Sequence, residues 1–141
     1  MNNISVEKVD VWAASMKDKP GSLAEILAEL HEAGADLDFI LARRLHENNN
    51  EAVVFITPLR GDTEIDMATY LGFNVANSVH SVRIEGANRP GIAATITRRL
   101  ADEGINLRGL SAGVAGTQFI MYIGLDSEAD ADKALTVLRK P

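Results

Sequence analysis

The sequence predicts an α+β protein in which one βαββαβ module is used twice. A polar residue followed by a Pro-Gly pair occurs in two places, as Asp18-Lys19-Pro20-Gly21 and as Asn88-Arg89-Pro90-Gly91. The copies are 70 residues apart (90 − 20), and the same offset places Leu30 onto Leu100. Because this offset holds through strand, loop, helix and the next strand, it indicates an internal repeat.

The first strand and helix of the first module have distinct signals. Residues 6–16 are apolar on both faces of a period-2 pattern, which predicts a strand covered on both sides. Pro20 suits the first turn of a helix, because a helix does not need its missing N–H there. Apolar residues then follow at helical spacing, and Gly34 is expected to end the helix in a left-handed conformation; the apolar set is Leu23, Ile26, Leu27 and Leu30.

The rest of the first module reads as a hairpin, a second helix and a last strand. Residues 36–45 and 52–57 predict two antiparallel strands around a polar turn at 47–51. Asp62 is expected to cap a short helix that runs through Leu71. Residues 73–77 predict a fourth strand, which completes the ferredoxin-like arrangement.

The second module repeats this plan but lacks a fourth strand of its own. It has a strand at 80–84, a helix ended by Gly104, a hairpin of residues 107–114 and 119–125, and a final helix capped by Ser127. The open edge is expected to be filled by the N-terminal segment or by another subunit, since unpaired sheet edges are usually covered. The predicted domains are residues 1–77 and 78–141, each with an antiparallel sheet covered by helices on one face.

Composition limits the possible functions. The 141 residues carry a net charge of −6, which argues against a broad nucleic-acid or anionic-membrane surface. The absence of cysteine removes disulfides, thiolate zinc sites and cysteine catalysis. No apolar run is long enough for a membrane span, and the N-terminus lacks the pattern of a signal peptide, so we expect a cytoplasmic protein. The three histidines lack metal-site spacing, and neither a metal nor a cofactor is expected.

The sequence indicates a candidate ligand-binding site only in the two Pro-Gly loops. They are here named the Asp18 loop (residues 18–21) and the Asn88 loop (residues 88–91). A helix start presents N–H groups without partners and the positive end of the helix dipole, which suit a carboxylate. Gly21 and Gly91 allow a close approach of the backbone. Asp18 and Asn88 add an oxygen acceptor that suits an ammonium. An α-amino acid needs this combination, although the alternative is that both side chains merely help to cap the helices.

These motifs resemble the ACT domain. In that family a strand is followed by [DN]-x-Pro-Gly, a helix, and Gly-x-[DN]-Leu at the start of the second strand, here residues 34–37 and 104–107. The resemblance covers nearly the whole chain as two tandem copies. It implies a regulatory protein that binds an amino acid where two modules lie side by side. It also implies ligand-binding residues in both copies: Asp18, Gly21, Ser22, Leu23 and Asp36, with Asn88, Gly91, Ile92, Ala93 and Asn106.

The resemblance, which leaves almost nothing of the chain outside the two copies, implies a stand-alone regulatory protein that is not an enzyme, binds a small amino acid and signals in trans. A homodimer is expected from the doubly apolar first strand. Three alternatives stay open at this point. The chain could be a regulatory subunit of an amino-acid biosynthetic enzyme, a structural dimerisation module without a ligand, or an acylphosphatase-like hydrolase that uses Arg89. RNA binding is rejected, because the aromatic residues lack the surrounding glycine and basic residues of an RNA-binding sheet.

Overall fold

A computed structural model describes residues 3–45 and 50–141, with the backbone alone for residues 75–79. Within these residues the chain forms six strands and four helices. In chain order they are β1 (Ile4–Lys17), α1 (Ser22–Glu32), β2 (Phe39–Arg44), β3 (Glu51–Thr57), α2 (Asp62–Tyr70), β4 (Asn74–Ala87), α3 (Ile92–Asp102), β5 (Leu107–Ala115), β6 (Gln118–Leu125) and α4 (Glu128–Arg139). The predicted fold class, ferredoxin-like βαββαβ modules with antiparallel sheets, is confirmed.

The chain divides into two compact units. One, the inserted unit, consists of Asp10–Ser78, and the other, the split unit, combines Met1–Val9 with Val79–Pro141. The long strands β1 and β4 each contribute one part to each unit. The sequence analysis places residues 1–9 in the first module, whereas in the structure they belong to the same unit as residues 79–141. The reason is that β1 continues for 14 residues as one strand.

The inserted unit is an antiparallel sheet whose buried face carries two helices. Its strands lie in the order β2, β3, β1 and β4. Trp12 pairs with Ile56, which pairs in turn with Ile40 on the outer strand β2. Alternate residues of these strands pack with α1 and α2 around a core that includes Trp12, Ala14, Ile26, Leu30, Val54, Ile56, Ala68 and Phe73.

The split unit has the same plan, with the first half of β1 as its fourth strand. The strand order is β1, β4, β6 and β5. Val6 on β1 joins the buried core made by β4, β6, α3 and α4. Helix α4 forms two polar contacts with this part of β1. Lys8 Nζ lies 2.8 Å from Asp132, and Arg139 donates to the Val6 carbonyl at 2.8 Å. The open edge expected from the sequence is therefore filled by the N-terminal segment of the same chain.

The predicted helix ends are correct at Gly34, Gly104 and Ser127, but two predicted helix starts are wrong. Pro20, expected in the first turn of α1, lies before the cap residue Gly21, and the helix begins at Ser22. Gly34 and Gly104 have φ of +97° and +74°, which is the left-handed conformation expected at these positions. The Ser127 hydroxyl accepts a hydrogen bond from the Asp130 N–H at 3.1 Å, as a cap should. The predicted Asp62 cap is wrong: Gly61 occupies the cap position of α2 without a side-chain hydrogen bond, and Asp62 is the first helical residue. Most of the predicted polar turn at 47–51 lies outside the described residues.

Candidate functional site

The Asp18 and Asn88 loops begin with the same backbone hydrogen bond. Each follows the end of the first strand of its unit, and its first N–H reaches across to the residue just before the third strand. Asp18 N donates to the Asn50 carbonyl at 2.7 Å, and Asn88 N donates to the Thr117 carbonyl at 2.8 Å. The strand ladder therefore fixes the first residue of both loops in the same way.

The two loops then make the same turn into a helix. Gly21 and Gly91 have φ of +91° and +81°, values that favour glycine. The next N–H closes a weak turn in both copies, at 3.3 Å from Ser22 to the Lys19 carbonyl and at 3.3 Å from Ile92 to the Arg89 carbonyl. A Cβ at either glycine would meet nothing within 4 Å, so the space above the turn is open.

Neither helix start is capped by a side chain. Gly21 and Gly91 are the cap residues of α1 and α3, and neither helix receives a side-chain cap hydrogen bond. The alternative that Asp18 and Asn88 serve as caps is therefore wrong. First-turn N–H groups of a helix lack acceptors within the helix. Apart from the first one, which closes the weak turn, they therefore stay available for an anion in both units.

The polar residue that opens each loop is where the copies differ. The Asp18 carboxylate forms an ion pair with Arg44 Nε at the end of β2, and its side chain is 29% exposed. Asn88 is exposed, and within residues 3–45 and 50–141 its side chain has no hydrogen-bond partner. Only the Asn88 loop thus presents an unoccupied side-chain acceptor beside the open helix start.

The other predicted site residues fall into three groups. The side chains of Ser22 and Ile92 are buried, 9% and 4% exposed, so they can offer a ligand only their backbone. Leu23 and Ala93 are half-buried against their cores.

Asp36 and Asn106, in contrast, are exposed and precede the second strand of their units, β2 and β5. The Asp36 carbonyl accepts a hydrogen bond from Arg60 Nη1 at 3.5 Å. Their solvent-facing side chains leave them accessible to a ligand.

The sequence reasoning missed the role of Arg44 and a polar row on the split unit. Arg83 Nη1 lies 2.8 Å from Glu85 and 3.9 Å from Glu7, and its Nε donates to the Tyr122 hydroxyl at 3.1 Å. Burial acts to lower the pKa of Arg83, but the hydrogen bonds to Glu85 and Tyr122 outweigh it and raise that pKa above the ordinary value. Arg83 and Glu85 at i and i+2 of one strand were the sequence signal, because such residues share a face. These groups satisfy one another and leave no evident ligand site.

Two other features are absent from the described residues. In the ranges 3–45 and 50–141, no three His, Cys, Asp or Glu side chains are grouped as metal ligands would be. No helix in the same ranges combines the length and the apolar character needed to cross a membrane.

The split unit matches a known protein family over most of its length. Residues 80–140 match the ACT domain family. The matched segment contains the Asn88 loop, α3, the β5–β6 hairpin and α4. No curated protein matches the chain.

Solved structures resemble the whole chain and show its fold. A protein from Bacteroides thetaiotaomicron superposes with a TM-score of 0.77 at 19% identity, covering 95% of this chain and 88% of that one. The regulatory subunit of aspartate kinase from Thermus thermophilus, in a ligand-free form, gives a TM-score of 0.63 at 14% identity and covers 97% and 95%. A structure of aspartokinase alpha and beta subunits gives 0.62 at 19% identity, covering 97% and 95%. These likenesses extend over nearly the whole chain and show the fold that it shares with these structures.

Proposed function

We propose that this protein is a cytoplasmic, non-enzymatic regulatory protein that binds a small amino acid in the Asn88 loop and signals to a partner in trans. The observation that carries the proposal is the open Asn88 loop within the segment that matches the ACT domain. The first-turn N–H groups of α3 would receive the ligand carboxylate, and the Asn88 side-chain oxygen would accept from its ammonium. Asn106, exposed at the start of β5, is proposed to line the same site.

We propose in addition that the inserted unit is a second ACT module. The Asp18 loop repeats the backbone frame, the left-handed glycine and the uncapped helix start of the Asn88 loop. The Gly-x-[DN]-Leu segment at 34–37 corresponds to residues 104–107. A tandem pair accounts for both the repeat and the two similar units.

The edge strand β5 supports the proposal of a homodimer. In the part of the chain that the structure describes, β5 pairs with β6 alone, and residues 109–115 carry no charge. Leu110 and Val114 lie on the face shared with Ile123 and Phe119, yet they are 44% and 54% exposed. Uncharged, exposed edge strands are prone to pair with another strand, and β5 of a second copy would match it. Analytical ultracentrifugation of Leu110→Glu should show a monomer if this edge forms the dimer.

The amino-acid proposal is tested by thermal shift against each of the twenty amino acids at millimolar concentration. A ligand at about 100 times its dissociation constant stabilises by roughly 2.7 kcal/mol, which raises the midpoint by roughly 5 to 10 °C for a chain of this size. Asn88→Ala should abolish the shift without unfolding the protein, because the side chain is exposed.

Gly91→Ala and Gly104→Ala form a matched pair for this test. Both positions have positive φ and open space around them, so both variants carry a similar backbone strain of about 1 kcal/mol. Only Gly91→Ala alters the loop and should weaken binding. Equal ligand shifts in the two variants, or no shift with any amino acid in the wild type, would refute the proposed site.

A second candidate is a regulatory subunit of an amino-acid biosynthetic enzyme. It is favoured by the likeness to the aspartate kinase regulatory subunit, which this chain matches over 95% of that subunit's length. A stable complex with a biosynthetic enzyme in a pull-down from native lysate would support it. A protein that regulates in trans without such a stable complex would support the first candidate.

A further inference from the structure

We infer that Arg44 closes the Asp18 loop to amino acids, so that each chain has one working site, in the Asn88 loop. This inference rests on the proposed function and specifies which of the two repeated loops is used. It follows from a comparison of two loops with the same backbone in one molecule.

The closing contact spans the start of β3. Asp18 lies just beyond the end of β1, whose last residue Lys17 pairs with Glu51 at the beginning of β3. Arg44 ends β2 on the other side of that strand and pairs with Ala52. The guanidinium reaches over β3 and its Nε donates to Asp18 Oδ2. The acceptor that would receive a ligand ammonium is thus already occupied by a cation of the chain.

The Asn88 loop has no equivalent of this contact. The repeat offset places Arg44 on Val114 (44 + 70), and the strand pairing agrees with that placement. Arg44 pairs with the second residue of β3, and Val114 pairs with Phe119, the second residue of β6. A valine cannot donate to Asn88, and a neutral asparagine does not attract a cation as an aspartate does. The second loop therefore keeps its acceptor open by virtue of both substitutions.

The Asp18 loop is unfavourable to an amino acid in either state of the ion pair. When the pair is formed, the ligand ammonium lacks an acceptor. When the pair is broken, the bare Asp18 carboxylate opposes the ligand carboxylate at the nearby helix start, and Arg44 loses its partner. Exposed charges of this kind change an equilibrium by up to about fivefold each. The two effects together should keep the Asp18 loop empty at ligand concentrations that fill the Asn88 loop.

Isothermal titration calorimetry of the full-length protein tests the inference. The probe is the amino acid that gives the largest thermal shift with the wild type. We expect one site per chain in the wild type and two in Asp18→Asn/Arg44→Val, which gives the first loop the residues of the second. Arg43→Val is the matched control, since Arg43 is an exposed neighbour outside the ion pair, and it should keep one site.

Asn88→Ala distinguishes binding in the Asn88 loop from binding in the Asp18 loop. It should leave no site in the wild-type background and one site in the Asp18→Asn/Arg44→Val background. Two equal sites in the wild type, or one site in the double variant, would overturn the inference while leaving the amino-acid function intact. Loss of all binding in the folded double variant would also overturn it, because the ligand would then bind at the ion pair of Asp18 and Arg44. A wild type that binds no amino acid would refute the proposed function itself.

Discussion

The contribution of the N-terminal strand to the split unit can be tested with Val6→Ala. Val6 is 6% exposed and packs in the core formed by residues that lie more than 70 positions later in the chain. The substitution removes two buried methyl groups, each worth about 0.8 kcal/mol, and leaves a small cavity. We expect a loss of about 2 kcal/mol in the free energy of unfolding.

The neighbouring Ser5→Ala is the control for this substitution. Ser5 lies on the same strand but is exposed, and surface changes of this type usually stay within about 0.5 kcal/mol. Urea unfolding measures both variants. Hydrogen exchange by mass spectrometry shows which unit is weakened, and Val6→Ala should speed exchange in residues 79–141.

Two outcomes would refute the assignment of this strand. Equal stabilities of the Val6→Ala and Ser5→Ala proteins would mean that the N-terminal strand does not complete the core. Faster exchange confined to residues 10–78 would mean that it completes the other unit. The single tryptophan, Trp12, lies in the inserted unit, so its fluorescence reports that unit separately during the urea titration.

Two further predictions concern the same strand. Gly86→Ala would place a Cβ 2.8 Å from the Asn3 carbonyl oxygen and 2.9 Å from Ile4 Cγ2, so it should lower the free energy of unfolding by about 1–3 kcal/mol. Gly113→Ala, whose Cβ meets nothing within 4 Å, should change it by less than about 0.5 kcal/mol in the same urea assay. The ion pairs of Lys8 with α4 should stabilise the wild type over Lys8→Met at neutral pH. Hydrogen bonds to Asp132 and then Glu128 raise the pKa of Lys8, so this advantage should persist up to the ordinary lysine pKa of 10.5 and disappear as the pH rises further. Melting temperatures of both proteins at pH 7, 9 and 11 check this, and an advantage lost already at pH 9 would contradict it.

The amino-acid sequence by itself determined the fold class and the positions of the two loops. Local signals were sufficient for these features. The apolar period at Leu23–Leu30 indicated α1, the left-handed glycines marked the helix ends, and the repeat offset located the Asn88 loop from the Asp18 loop. Each of these signals lies within one element or in a constant spacing, so no tertiary information was needed to interpret it.

The tertiary structure decided what depends on residues far apart in the chain. It showed that β1 is shared, with Val6 completing a unit made otherwise of residues 79–141. It also showed that Arg44, 26 positions from Asp18, pairs with that carboxylate. The sequence alone did not link these two residues, because a side chain that reaches across a strand can be recognised only once the strand register is known. For the same reason the sequence could not show what the Asp18 carboxylate contacts, whereas the register of β2 on β3 places Arg44 within reach of it.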